Sequence, residues 1–447
     1  MKRSNWRYLW TAHDIRRKLL ITFLILAIYR LAAHIPVPGA DPSVIQQFIE
    51  GGSAGSQLIG ILDLLSGGTI ANFSVLAMGV YPYITAQIIL QLITPIIPAL
   101  QRRMEEDPRE GRKWMEKWTL LLAIPMAALN AVGQINLFTA MTGGIPVVPE
   151  YGFSTNFVYS LVVILSMTAG TMFAIWLGEL ISEFGIRNQG LSLIIFAGIV
   201  ARVPANLQRI LVDEQYRWLL LAIMLVVTAL TIFAIIYVQQ GRRNVPVIYK
   251  GRMIGRRMTM SSRTFLPLMV NMAGMIPLIF AQSILTFPAV FASFFLSSQI
   301  PFVRNTANSV SSLFGGEGTF FNISYFILVV AFTFFYTSVL FQQQNYGRNL
   351  VRAGAEIPNI SPREDGKFMQ AYLSKVQNRI TFPGALFLGL VAVLPWLLTL
   401  ILPGGLGKNA MLIQSAGLLI VVGVVRDVFF NIEAELKQRY DEKLLVR

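Results

Sequence analysis

The chain has no cysteine and only two histidines, His13 and His34. Disulfide frameworks, iron–sulfur clusters and thiolate zinc sites are therefore excluded, and two isolated imidazoles without partners at ligand spacing argue against a metal centre. Charge is scarce as well: 13% of the 447 residues are charged, where about a quarter is usual in a soluble domain. Apolar residues take their place, at 54% of the chain with a mean hydropathy of +0.59, which excludes an ordinary soluble domain and indicates a polytopic membrane protein. Catalytic signatures are also missing. Gly404-Gly405-Leu406-Gly407-Lys408-Asn409 lacks the spacing and the terminal hydroxyl of a nucleotide phosphate loop, and there is no His-Glu-x-x-His or Gly-x-Ser-x-Gly. The chain reads as a protein that is not an enzyme and needs no cofactor.

A window of membrane length finds about ten apolar stretches, at 19–33, 75–97, 118–137, 157–177, 191–210, 218–238, 266–287, 321–341, 382–402 and 411–430. The fifth is interrupted by Arg202 and Pro204. The net charge of +14 is unevenly shared. One face receives Lys2, Arg3, Arg7, Arg16, Arg17 and Lys18, the basic loop from Arg102 to Lys117, the loop from Arg242 to Arg263, the segment with Arg348, Arg352, Arg363 and Lys367, and the C-terminal tail; the other receives little beyond Arg209, Arg217, Arg304 and Lys408. The positive-inside rule puts both termini in the cytoplasm and supports an even number of spans, and Trp6, Trp10, Trp114, Trp118, Trp176, Trp218 and Trp396 fall near span ends as an aromatic belt would. The basic start followed by 19–33 also fits a cleavable signal peptide; the return of basic charge at every later loop on the same face favours a retained first span.

Two apolar helices, one in each half, carry nearly the same pattern. Residues 79–90 align without gaps on 274–285, sharing Gly79 with Gly274, Pro82 with Pro277, Ile84 with Ile279, Ala86 with Ala281, Gln87 with Gln282 and a final Ile-Leu. The match suggests related halves facing a common axis, although a chain this apolar also offers chance matches. Residues 58–74 are amphipathic, contain Asp63 and Asn72, and are broken by Gly67-Gly68. They are too short and polar to span. They fit either a re-entrant element in a protein- or water-lined cavity or an amphipathic helix on the outer surface.

Ionisable residues suited to ion coupling at the bilayer midplane are not found: Arg30 lies near a helix end where it can snorkel, and Glu179, Glu183 and Asp427 sit at span ends. A secondary transporter with inverted repeats, which would need such a site or a substrate cavity, is one rival reading, and an insertase or scaffold without a continuous pore is another.

Further motifs, in order along the chain, resemble those of the SecY family of protein-translocation channels. They are His34-Ile35-Pro36-Val37-Pro38-Gly39, Ser66-Gly67-Gly68, Met78-Gly79-Val80-Tyr81-Pro82-Tyr83-Ile84, Gly170-Thr171-Met172-Phe173, Trp176-Leu177-Gly178-Glu179, Ile194-Ile195-Phe196-Ala197-Gly198-Ile199-Val200, Val270-Asn271-Met272-Ala273-Gly274-Met275-Ile276-Pro277 and Ile432-Glu433-Ala434-Glu435. The resemblance implies an all-α polytopic membrane protein of ten transmembrane helices in two inverted pseudo-symmetric halves, 1–215 and 216–447, with a re-entrant plug helix at 58–74 and long cytoplasmic loops at 241–265 and 342–379. It implies a pore ring of Val80, Ile84, Ile195, Ile279 and Ile420, where branched aliphatic side chains exclude ordered water yet part around an extended chain. From spacing alone the same residues equally fit ordinary buried aliphatics.

The resemblance further implies a plug containing Asp63, Ser66, Gly67, Gly68 and Asn72, and a lateral gate flanked by the second and seventh spans. Gln87, Gln91, Asn271, Gln282 and Thr119 are its polar residues; Gln91 and Asn271, with Thr119 a weaker third, are those able to hydrogen-bond between the halves. Helix packing without a switching role also fits them. Arg242, Arg243, Arg256, Arg257 and Arg363 would dock a ribosome or the ATPase SecA, although anionic lipid competes for any single arginine. Two departures bear on that surface: Ile360-Ser361-Pro362-Arg363 stands where the family commonly has Ile-Arg-Pro-Gly, and Phe265 and Met269 stand where His and Lys are frequent.

The implied function is a channel in the bacterial cytoplasmic membrane that passes unfolded secretory polypeptides across and releases hydrophobic segments sideways into lipid. Its implied partners are SecE, SecG, SecA, the ribosome, signal sequences and membrane lipid, with SecDF and YidC as further candidates.

Overall fold

The computed structural model of the chain describes residues 13–40, 73–94, 97–106, 108–141, 146–152, 156–187, 189–201, 203–204, 207, 217–249, 253–254, 257–258, 262–293, 295, 300–314, 318–358, 360, 366–401 and 415–445. Helices dominate, as they must where lipid offers no partner for a backbone amide. In the N-terminal half they are α1 (His13–Ala32), α2 (Tyr81–Ile93), α3 (Pro98–Glu106), α4 (Pro108–Met141), α5 (Phe157–Phe184) and α6 (Gly190–Ala201). In the C-terminal half they are α7 (Arg217–Gln240), α8 (Ile276–Ser293), α9 (Pro301–Phe314), α10 (Thr319–Gln343), α11 (Tyr346–Arg352), α12 (Lys367–Ile401) and α13 (Ser415–Leu445). Each apolar stretch read from the sequence has a helix in its place. Among the described residues, five helical stretches, 109–136, 157–184, 221–240, 319–352 and 367–401, are long and apolar enough to cross a membrane, and shorter apolar helices occupy 190–201 and 276–289.

Polar side chains on these helices return to their own backbone. The hydroxyls of Thr22, Thr168, Thr231, Ser283 and Thr333 each donate to the carbonyl four residues earlier, at 2.7–2.8 Å, which satisfies them where water is absent. Burial separates central from peripheral spans: 56% of the apolar window of α5 is buried inside the protein but only 17% of that of α7. The helix α5 is therefore a hub of the N-terminal half, packed on α1, α4 and α6, whereas α7 presents Trp218, Leu225, Val226, Leu230, Phe233 and Tyr237 outward.

The repeated pattern has a repeated local structure. Gly79 and Gly274 both take left-handed backbone angles, φ +52° and +65°, and each turn is followed by a helix with proline as its second residue, Pro82 in α2 and Pro277 in α8. Glycine supplies the positive φ without strain, and proline is tolerated in a first helical turn because its missing N–H would have had no partner there.

To this all-α architecture the loop after α7 adds a small sheet that the sequence reading did not anticipate. There β1 (Arg242–Tyr249), β2 (Met253–Ile254), β3 (Arg257–Met258) and β4 (Ser262–Met269) form, with β5 (Ala355–Glu356) contributed from beyond α11. The three-stranded sheet has the order β4-β1-β5 and is antiparallel, pairing Arg242 with Met269 and Tyr249 with Ser262. Val245 and Val247 point from one face of β1 into a core with Leu268, Phe341, Leu350, Ile357, Met369 and Leu373, so the hairpin is joined to the extended end of α12.

Candidate functional site

The expected ring residues come from helices far apart in sequence. Val80 precedes α2, Ile195 lies in α6 and Ile420 in α13; all three are buried in one apolar cluster, at 1%, 4% and 2% exposure, with Ile84 packed against it. Ile279 is buried on α8 but does not join that cluster. Met275 does. Met275 is the counterpart of Val80 in the repeat, so the register of 79–90 on 274–285 was the signal that could have found it. Val80, Ile84, Ile195, Ile420 and Met275 are all apolar and carry no ionisable or hydrogen-bond-donating side chain, so this set can seal against water without recognising sequence.

Beside it, α2 meets the C-terminal half. Ile88 of α2 is buried with Ala273, Phe280 and Tyr336, with Ile84, Leu92, Ile276, Phe332 and Leu340 packed around them. The Phe280 ring meets Phe332 and Tyr336 edge-on, with centroids 6.0 and 5.6 Å away. Ile84 borders both this interface and the ring cluster.

The expected polar gate residues behave differently from one another. The Gln91 side chain lies within interaction distance of the Tyr336 phenol on α10, between the N-terminal and C-terminal helices. Asn271 is buried but bonds locally: its Nδ2 donates to the Gly274 carbonyl at 3.2 Å, and its Oδ1 accepts from the Gly274 N–H at 2.9 Å. Thr119 donates to the Met115 carbonyl of its own helix at 2.7 Å. Gln282 is buried and Gln87 half-buried. Tyr336 and Phe280 carry much of the interface and were missed, because one aromatic among 30 phenylalanines and 14 tyrosines has no distinguishing mark.

Of the plug residues, Asp63, Ser66, Gly67, Gly68 and Asn72 lie outside the described residues. Phe73 and Ser74 are described, and both are buried. Phe73 meets Phe138 edge-on at 5.7 Å, and the Val37 N–H donates to its carbonyl at 3.0 Å. Of the docking arginines, Arg242 and Arg243 are exposed on β1, and the Arg242 guanidinium lies 5.7 Å from the Phe430 ring centroid. Arg257 begins β3, while Arg256 and Arg363 lie outside the described residues. The sheet adds an exposed Arg263, opposite Ile248 in register. Near its base Arg426 donates to the Gln239 carbonyl at 3.2 Å and pairs with Asp427 at 3.0 Å.

A family model described as SecY matches residues 74–429. The chain is 36% identical over 440 residues to a protein translocase subunit SecY of Aquifex aeolicus, covering 96% of each chain. It is 38% identical over 448 residues to that of Mycobacterium bovis, covering 97% of each. Among solved structures its fold is similar to a protein-conducting channel, with a TM-score of 0.61 at 18% identity over 94% of this chain and 93% of the other. It is also similar to Sec61 in a canine ribosome–channel complex from the endoplasmic reticulum, with a TM-score of 0.60 at 17% identity and the same coverage.

Proposed function

Because this chain belongs to the SecY family, we propose that its aliphatic cluster of Val80, Ile84, Ile195 and Ile420 is the closed constriction of its translocation pore and that the α2–α8 interface is its lateral gate. The chain is a membrane-embedded, protein-conducting channel subunit with no catalytic activity of its own. The observation that carries the assignment of sites is the position of Ile84, which borders the ring cluster on one side and the interface between halves on the other. Opening that interface therefore loosens the constriction, which couples sideways release of a hydrophobic segment to passage of the chain behind it. Ile279 of α8 and Met275 immediately before it are both assigned to the constriction, Ile279 by family motif and Met275 by contact.

The proposed substrates are unfolded secretory polypeptides and the hydrophobic signal sequences that lead them. The membrane is the bacterial cytoplasmic membrane with both termini cytoplasmic, a reading supported by the positive-inside bias. Residues 1–215 and 216–447 are proposed as the two inverted halves, supported by the shared Gly-turn-Pro starts of α2 and α8. SecE and SecG are proposed as companion subunits, SecA and the ribosome as alternative sources of drive at Arg242, Arg243, Arg256, Arg257 and Arg363, with SecDF and YidC as accessory partners.

The testing experiment is ion conductance of the chain co-purified with SecE in a planar bilayer, comparing the intact chain with one lacking residues 58–74. Conductance that rises on deletion supports a plugged, ring-sealed pore. Unchanged conductance in a correctly folded variant removes the plug assignment.

A further inference from the structure

Each of the two repeated helices is reached through a short lead-in, and each lead-in rests on a glycine of a different span. Before α2, the Val75 carbonyl oxygen lies 2.2 Å from where a Cβ on Gly170 of α5 would stand. Before α8, the Val270 carbonyl oxygen lies 2.7 Å from where a Cβ on Gly384 of α12 would stand. Val75 and Val270 hold the same place in the repeat, four residues ahead of the left-handed Gly79 and Gly274. The seating is thus repeated along with the helices. Because the atom filling each seat is backbone, it cannot rotate away from an added methyl as a side-chain end can, and the lead-in itself would have to shift.

The two lead-ins are tied to different parts of the protein. Val75 donates its N–H to the Ile35 carbonyl at 2.9 Å, beside the bridge between Pro36 and Ser74, and directly follows the segment that contains the proposed plug. Val270 donates its N–H to the Gly241 carbonyl at 2.9 Å, and Gln377 Nε2 donates to the Met269 carbonyl at 3.1 Å. Gln377, Thr381 and Gly384 follow one another at helical spacing on one face of α12. Thr381 is hydrogen-bonded to Gln377 at 3.3 Å and to its carbonyl at 2.8 Å. Met269 ends β4, which is paired with β1 along its length. A load on the hairpin therefore reaches the start of α8 through β4 and the hydrogen-bonded lead-in 270–275, and it acts against α12.

From this geometry we infer that Gly170 and Gly384 are paired seats setting the rest position of the two gate helices, and that Gln377 is a positioning residue making the α8 seat answer to the β1–β4 hairpin. The inference rests on the gate and docking assignments proposed above. The inverted repeat gives it direction: the same seat ties one gate helix to the plug side and the other to the docking side, so a partner on the hairpin moves α8 while α2 stays with the plug.

The chain has no cysteine, so a pair introduced by Ile88→Cys and Phe280→Cys reports gate closure through its rate of crosslinking by a short thiol reagent, with the full chain in its membrane. Gly384→Ala is expected to slow that rate about threefold or more, within the range that coupling through packed elements produces. Gly389→Ala, whose added methyl meets the Phe326 ring at 2.7 Å, burdens the same helix without touching Val270 and is expected to leave the rate unchanged. A parental rate in Gly384→Ala, or equal slowing in both variants, overturns the seats. Gln377→Leu tests the tie to the hairpin and does not depend on Gly384→Ala folding. With non-translating bacterial ribosomes as the probe, it should bind them as the parent does yet lose most of the ribosome-induced change in crosslinking, with rescue by Gln377→His. An undiminished change overturns the positioning role. If ribosomes fail to bind the parent, the ribosome assignment fails, while the comparison of Gly384 with Gly389 still decides the seats.

Discussion

The side chain of Gln91 on α2 lies close enough to the phenol of Tyr336 on α10 to interact with it, bringing together two polar groups 245 residues apart in the chain. Around it are Ile88, Phe280 and Leu340, all apolar. A polar contact between apolar helix faces is a modest restraint that an arriving apolar helix can replace. Polar contacts between helices in membranes contribute about 0.6–2 kcal/mol, so Gln91→Leu and Tyr336→Phe should each shift the gate toward open by about threefold or more. The double variant should add little beyond either single change. A translocation assay with a weakened signal sequence reads this as increased export, and additive effects would show that the two residues act separately.

The constriction makes a prediction about leakage. Replacing Ile195 with Asn or Val80 with Ser places a hydrogen-bonding group where the proposed constriction has an aliphatic side chain, which favours wetting. Resting ion conductance should rise severalfold. Ile195→Leu, with nearly the same volume, should stay close to the parent, and an equal leak in both would point to general loosening.

Packing of α6 on α5 depends on Gly190, where a Cβ would stand 1.7 Å from the Gly178 carbonyl oxygen. Gly190→Ala should cost about 3 kcal/mol or more, since the conflict is between backbones and has no rotamer to relieve it. Thermal unfolding of the detergent-solubilised protein should show a clear loss of stability, or the variant should fail to accumulate.

The ion pair between Lys18 and Glu435 joins α1 to α13, with both side chains about a third exposed, at 35% and 31%. Solvent and salt screen such a pair, so Lys18→Ala should cost less than about 1 kcal/mol. The difference from the parent should fade at about 1 M salt. A large loss that persists in high salt would assign Lys18 a packing role instead.

Arg242, Arg243 and Arg263 are exposed on the two long strands of the hairpin. Reversing two of them to Glu should weaken ribosome binding most at low ionic strength, through slower association, because the attraction is electrostatic steering. Binding that is insensitive to both charge reversal and salt would move the docking surface elsewhere.

Some of this organisation was legible in the residues. The Gly79-to-Gly274 repeat predicted two equivalent helices, and both glycines take positive φ ahead of a proline-started helix. The hairpin was not legible, because Pro246, Pro267 and the arginines around them resemble a solvated loop, and the valines at 245 and 247 become informative only once α12 supplies a surface to bury them. Asn271 shows a similar limit. A polar residue at a span boundary suggests a partner across the interface, but the left-handed turn at Gly274 brings a backbone amide and carbonyl within reach first.

Composition and periodicity by themselves determined that this chain lives in a membrane and where its helices run, and they gave the expectation of which face carries its charge and of two helices sharing a pattern. Those are local or summed properties, and each residue contributes to them wherever its neighbours lie. Only the tertiary structure decided that Val80, Ile195, Ile420 and Met275 share one cluster, that Gln91 comes near Tyr336 while Asn271 bonds Gly274, and that the Val75 and Val270 carbonyls lie against Gly170 and Gly384. The physical reason is that an isoleucine facing lipid and one closing a pore have the same chemistry. What distinguishes them is the close approach of segments distant along the chain, and no local pattern encodes that approach.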